Sequence, residues 1–472
     1  MLFPTIEFAV FFAVVFPLTW LLNDRNTWKK WFLVAVSYYF YAYWKVEFTL
    51  LLFGSSVFNY LVALALGWLR NGFARRLLLW FGVSCNLGLL AYFKYYNFFA
   101  ASLINALEPL GIPVNIQFIE MALPIAISFL TFHVLSYIID VYLGKLAPTK
   151  SLVDILLYVS FFPHLVAGPI VRAKIFLAQT TQKSDPADVR IAASVFLILG
   201  GLFKKVVIAN YISTDFVDGV FRDPGNYSSL DLLLGMYAYA IQIYCDFSAY
   251  TDIAIGVARL LGYEFPQNFN QPYRATTVQD FWRRWHITLS NWLRDYLYIP
   301  LGGSAHGRFA TARNVMVTML LGGLWHGASY NFVIWGALHG LALVTERALG
   351  ITGGEGGKRS WFAGALGWFI TFHFVCITWV FFRSPTLDAS LTYFSMLLLD
   401  GSWTTSTVTP LIACALAVGA LTQIIPDRWF GWLERAYEYA WLPIKIAIAF
   451  AVIFAVSAAA PTGIPPFIYF QF

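Results

Sequence analysis

The chain has 472 residues, of which 59% are hydrophobic, 19% aromatic and only 12% charged, with a mean hydropathy of +0.66. A soluble domain is about a quarter charged, so this much apolar surface needs a bilayer as its solvent, and the chain reads as an all-α polytopic membrane protein. The net charge of +6 lies in short loops between apolar runs and implies no nucleic-acid partner, while ordinary Gly and Pro content and four scattered cysteines exclude disordered, collagen-like and disulfide-scaffold classes.

Runs long enough to cross, or nearly cross, the hydrocarbon layer fall near 5–22, 48–69, 76–93, 117–142, 152–170, 191–214, 230–262, 314–348, 361–382, 408–425 and 442–460, predicting roughly eleven spans. The first run has no basic segment before it and no small-residue cleavage site after it, so it is read as a retained span. Runs at 31–44, 95–107 and 391–399 are shorter and aromatic, as re-entrant or interfacial helices are. The basic cluster Arg25, Lys29 and Lys30 and the arginine-rich segment 263–313 are both expected to face the cytoplasm. No repeat or soluble domain interrupts the chain, which is expected to be one membrane domain over 1–472, and GGEGG at 353–357 reads as a loop. Cys85, Cys245, Cys376 and Cys414 form no CxxC pair and read as small core hydrophobes.

Polar residues at membrane depth mark function because each is costly unless paired or water-lined. In YVSFFPHLVAGPIVR (158–172), Pro163, Gly168 and Pro169 predict a broken helix. There His164 and Arg172 could contact a substrate or simply occupy an interfacial turn. In YAIQIYCDFSAYTDIAIG (239–256), Gln242, Asp246, Ser248, Tyr250 and Asp252 interrupt an apolar run, suiting a polar lining or interhelical hydrogen bonds better than a paired-carboxylate site. Cys245 has no neighbour that would activate it.

In NFNQPYRATTVQDFWRRWHITLSNWLRDYLYIPLGG (268–303), Thr276 or Thr277 is expected to cap one amphipathic helix carrying Phe281, Trp285, Leu289, Trp292 and Tyr296 on a single face. His286 lies one turn from Trp282 and Ser290, with Arg283, Arg284, Asn291 and Arg294 on the polar sides. A surface helix with snorkelling arginines is one reading, and an anion patch for a nucleotide-type ligand beside a proton-handling histidine is the other. In TMLLGGLWHGASYNFVIWGALHGLAL (318–343), His326 is ringed by Gly322, Gly323, Trp325, Gly327 and Ser329. That surround favours a functional histidine beside a narrow channel, whereas His339 is assigned to packing. Phosphate loops, HExxH, GxSxG and GxGxxG patterns are all missing from the sequence, and no metal is expected.

Taken together, DFWRRWHITLSNWLRDYLYIPLGG, LWHGASYNFVIWGALHG, FFPHLVAGPIVR, YCDFSAYTDIAIG, NFNQPY and the closing FIYFQF resemble the membrane-bound O-acyltransferases, most closely the bacterial branch that acetylates alginate and cellulose. The likeness is strongest over about 120–345. It implies a helical bundle with a cytoplasmic funnel, residence in the bacterial inner membrane, and acyl transfer from cytoplasmic acetyl-CoA towards hydroxyls of an extracytoplasmic polysaccharide through a periplasmic partner of the serine-esterase type. His326 falls on the family's near-universal histidine and His286 on its second one, while Asn270, Asp280, Trp282, Arg283 and Arg284 match other recurrent positions. His133 and His164 depart from the family's usual residues.

The resulting expectation is that Arg283, Arg284 and Arg294 hold the donor's phosphates, that Trp282, Asn270, Trp325, Ser329 and Ser290 help bind donor or substrate, and that His326 is the general base with His286 in support. Three alternatives stay open. These are acyl or D-alanyl transfer from a charged carrier protein, a secondary transporter, and a structural scaffold for polysaccharide export.

Overall fold

The computed structural model describes residues 1–120, 122–166, 168–351, 360–405 and 407–459, and within them every regular element is a helix. Packing divides the chain into two compact units. One comprises Ile6–Val189 with Leu261–Phe265, and the other Arg190–Leu260 with Leu2–Thr5 and the chain from Pro266 onward. The GGEGG stretch and the closing FIYFQF motif lie outside the described residues.

Among the described residues, five helices are long and apolar enough to cross a membrane, or six if the bent pair Pro410–Ile424 and Arg428–Tyr439 counts as one span. That is fewer than the eleven runs in the sequence because several runs are cut by backbone turns. The 117–142 run is helical only over Ile127–Tyr142, and the 314–348 run is a hairpin of Gly307–His326 and Tyr330–Ala348. The 152–170 run breaks at Phe161, before Pro163, into Leu152–Ser160 and Phe162–Leu165, as prolines and a glycine dictate. In the opposite sense, the runs 76–93 and 95–107, read separately in the sequence, are continuous. The Gly72–Leu90 helix continues through a π-turn at Ala91–Tyr95 into Tyr96–Leu107, the form a one-residue insertion takes inside a helix.

In the first unit, Asn59 and Asn86 exchange side-chain hydrogen bonds of 3.0 and 2.8 Å between the Glu47–Trp68 and Gly72–Leu90 helices. A reciprocal amide pair of this kind leaves no polar group facing lipid. His164 is fully buried there, its Nε2–H donating to the Tyr158 carbonyl at 2.9 Å. Its ring lies over that of His133 at 4.7 Å.

In the second unit, the polar positions of the Ser229–Leu260 helix bond to the adjacent 191–222 helix. Lys205 meets Asp246 at 2.8 Å, Lys204 meets Asp252 at 2.6 Å, and Gln242 donates to Ser213 at 2.9 Å. Buried charges are tolerated when paired in this way, so the motif is an interhelical seam. Cys245 and Cys376 are buried as expected, but Cys85 and Cys414 are exposed on helix surfaces. A thiol is apolar enough to sit on such a face.

Candidate functional site

The site lies wholly in the second unit and begins with the Gly307–His326 and Tyr330–Ala348 hairpin. The two helices touch backbone to backbone: a Cβ at Gly323 would sit 2.2 Å from the Phe332 carbonyl oxygen, and one at Gly336 would sit 2.3 Å from that of Met319. Only glycine permits such an approach. It places His326, the last residue of the first helix, beneath a turn capped by Ser329, whose hydroxyl accepts from the Asn331 amide at 3.2 Å. Ser329 therefore has a structural task as helix cap.

His326 is 4% exposed and caged by aromatic rings, with Trp325 at 4.9 Å and Trp335 and Phe382 each at 5.1 Å between centroids. Trp325 also faces His286 at 6.1 Å, so one indole separates the two histidines. His339, fully buried one turn beyond Trp335 with the two rings 4.7 Å apart, accepts from Trp282 Nε1 at 3.2 Å and contacts Thr378 Oγ1 at 3.0 Å. Thr378 gives its own hydrogen to the Val375 carbonyl, so His339 donates from Nε2 and both nitrogens are used. This matches the packing role assigned to it.

The amphipathic helix expected over 278–296 is interrupted. Thr277 caps it as the sequence predicts, accepting from the Asp280 amide at 3.0 Å, but the helix ends at Arg284 and restarts at Ile287. His286 sits at the break with φ +43°, a conformation that costs a non-glycine residue about 1–3 kcal/mol unless its surroundings impose it.

They do, through Asn268. Its Oδ1 accepts from the Thr288 amide at 3.1 Å and the Thr288 hydroxyl at 2.9 Å, and it faces His286 Nδ1 at 3.2 Å. The Ile287 amide bonds to the Asn268 carbonyl at 2.9 Å. Because a backbone N–H can only donate, the atom facing His286 is oxygen, and Nδ1 must carry the hydrogen. Nε2 is then the basic nitrogen. Burial pushes the His286 pKa down to about 3, so the ring is neutral at physiological pH.

Beside these residues lies a cavity of about 540 Å³, within the range of small-molecule sites. Trp282, Arg283, Ser290, Arg294, Thr318, Glu346 and Arg347 are among its lining residues. Trp282 is shared, walling the cavity while donating to His339 and packing on Trp335 at 5.6 Å. Thr318 is eight residues before His326 on one helix, about 12 Å along its axis. Arg347 adds a third guanidinium, bonded to Tyr298 Oη at 3.0 Å, and Glu346 accepts the amides of Val278 and Gln279 at the start of the Val278–Arg284 helix.

The expected donor-binding residues thus separate. Trp282, Arg283, Ser290 and Arg294 line the cavity. Arg284 instead pairs with Asp280 at 3.0 Å and reaches the Asn270 carbonyl, while Asn270 contributes its backbone to the same junction, its amide bonding to the Arg284 carbonyl at 2.9 Å. Trp325 belongs to the histidine cage. Asn268 and Arg347 were not singled out in the sequence. Asn268 entered only within the NFNQPY motif, without a role of its own, and Arg347 lies in an ER pair with no local signal, since both act through contacts distant along the chain.

A model of the membrane-bound O-acyltransferase family matches residues 145–383. A "probable alginate O-acetylase" of Pseudomonas aeruginosa is 41% identical over 440 residues, which span 93% of this chain and 82% of that protein. A peptidoglycan O-acetyltransferase of Helicobacter pylori is 38% identical, over 77% of this chain and 72% of its own length. A teichoic acid D-alanyltransferase of Bacillus subtilis is 30% identical over 55% of this chain and 68% of its own length.

Proposed function

The chain belongs to the membrane-bound O-acyltransferase family, and from that premise we propose that it passes an acetyl group from cytoplasmic acetyl-CoA towards hydroxyls of an extracytoplasmic polysaccharide of the alginate type. The observation that carries this reading is the adjacency of a histidine cage to an arginine-lined cavity, joined through Trp282. In it, the phosphates of the donor lie against Arg283, Arg294 and Arg347, whose guanidinium groups suit phosphate oxygens. The thioester end then reaches past Trp282 towards His326.

At His326 the neutral imidazole takes the proton of the attacking hydroxyl, a contribution of about 10²- to 10⁴-fold. It returns that proton to the departing thiolate. The closed aromatic walls keep water from the thioester. His286 holds its hydrogen on Nδ1 through Asn268 and keeps Nε2 as a base or acceptor beside Trp325. Polysaccharide acceptors are supported by the two O-acetyl-transferring relatives named above. The chain works in the bacterial inner membrane, and a periplasmic esterase-type partner completes delivery.

Labelled acetyl-CoA supplied to purified protein in vesicles tests the reading. Release of CoA with label moving to an acceptor supports it. No CoA turnover, together with transfer from an aminoacyl-charged carrier protein, would replace the donor assignment.

A further inference from the structure

The aromatic cage contains a polar atom that packing leaves unused. Trp335 is 1% exposed, and its Nε1–H meets no acceptor among the described residues. Two tryptophans packed against Trp335 show how this fold treats a buried indole N–H elsewhere: Trp379 donates to Tyr273 Oη at 3.1 Å and Trp282 to His339 Nδ1 at 3.2 Å. A buried donor with no acceptor is costly. An apolar side chain at this position would avoid that cost. Trp335 is also the ring that links the cavity wall to the reactive histidine, lying 5.6 Å from Trp282 and 5.1 Å from His326.

A second unused group lies one turn away on the same helix face. Asn331, also 1% exposed, donates from Nδ2 to the Ser384 carbonyl at 2.9 Å and to Ser390 Oγ at 3.2 Å, while its Oδ1 meets no donor among the described residues. Packing thus leaves over a buried donor and a buried acceptor four residues apart on one helix, and the donor's ring lies 5.1 Å from His326.

We propose that Trp335 Nε1–H is a catalytic hydrogen-bond donor that receives the acyl oxygen during transfer at His326. The proposal rests on the acyl-transfer reading given above. The hydroxyl oxygen of the acceptor bonds to the thioester carbonyl carbon, the C=O π pair moves onto the acyl oxygen, and His326 takes the hydroxyl proton. The oxyanion so formed accepts from Trp335 Nε1–H. When the C=O bond reforms, the C–S bond breaks, and the thiolate leaves with the proton held by His326. An ester and a thiol are produced from a hydroxyl and a thioester, with no other reactant.

The test is the single-turnover rate of acetyl transfer in vesicles for wild type, His326→Ala, Trp335→Phe, and a Trp335 replacement by 3-benzothienylalanine, which keeps the bicyclic shape but has sulfur in place of N–H. Equilibrium binding of acetyl-CoA is measured in parallel. Both Trp335 variants are expected to transfer about 10²- to 10³-fold more slowly, the usual effect of removing one oxyanion donor, with donor affinity within about threefold of wild type because the contact forms only in the transition state. A ring needed only for packing predicts the reverse for the isostere, and a benzothienyl variant with near wild-type rate overturns the proposal. Full activity in His326→Ala would separately refute His326 as the base of the transfer, and with it the step in which Trp335 is placed. A wild type that transfers no acetyl group from acetyl-CoA sinks that reading and this proposal with it.

Discussion

Replacing Asn268 with leucine is the most informative test of how His286 is held. The substitution keeps the branched outline of the side chain but removes the oxygen that accepts from the Thr288 amide, the Thr288 hydroxyl and His286 Nδ1. Each of these donors is buried, and a buried donor left without its acceptor costs about 1–3 kcal/mol. Losses within one network are not additive, so three such donors and the loosened left-handed backbone at His286 set a loss of about 3–5 kcal/mol. Thermal unfolding of purified protein in detergent reads the stability. The pH profile of acetyl transfer reads the ring, because losing the acceptor frees the Nδ1 hydrogen to shift to Nε2. Asn268→Asp restores an acceptor and should recover part of the stability and the profile. A leucine variant within about 1 kcal/mol of wild type, with an unchanged pH profile, would refute the positioning role.

Three further outcomes follow from the same geometry. Gly336→Ala sets a methyl 2.3 Å from the Met319 carbonyl oxygen, which forces the hairpin apart; a loss of about 1–3 kcal/mol in detergent unfolding, with slower transfer, is expected. Arg283→Gln and Arg347→Gln should each raise the KM for acetyl-CoA about tenfold, the equivalent of one charge-assisted contact of about 1.4 kcal/mol, whereas Arg284→Gln, paired with Asp280 away from the cavity, should leave the KM nearly unchanged in steady-state assays. His286, held near 3 in the fold against about 6.5 when unfolded, stays neutral in both states above pH 6.5. Below that the unfolded chain takes up the proton first, so stability should fall by up to about 1.4 kcal/mol per pH unit between pH 6.5 and 3. His286→Gln should flatten that slope in unfolding measured from pH 7.5 to 5.

Composition and periodicity identified a helical membrane chain, and the glycines around His326 pointed correctly to a close backbone contact, because those signals are local. The 278–296 segment shows where local signals stop. Phe281, Trp285, Leu289 and Trp292 repeat as one helix face would, yet the helix breaks at His286 because Asn268, 20 residues before Thr288, takes the Thr288 amide and hydroxyl. Arg284 looked equivalent to Arg283 on charge alone. Its i,i+4 partner Asp280 was already a visible reason to place it in an ion pair. Arg347 joined the site only through the hairpin, which returns the end of the Tyr330–Ala348 helix to the cavity. The apolar runs outnumber the helices long and apolar enough to span because hydropathy does not register the turns that divide a run into a hairpin or a broken helix.

The most direct test of the central claim is the transfer of isotope-labelled acetyl from acetyl-CoA by purified protein in vesicles, with envelope extract supplying acceptors and partners, in wild type and in His326→Ala. The account predicts label on a polysaccharide acceptor with wild type and a loss of at least about 10²-fold in the variant, with the variant still folded and binding acetyl-CoA. A His326→Ala protein that transfers acetyl at close to the wild-type rate would contradict it.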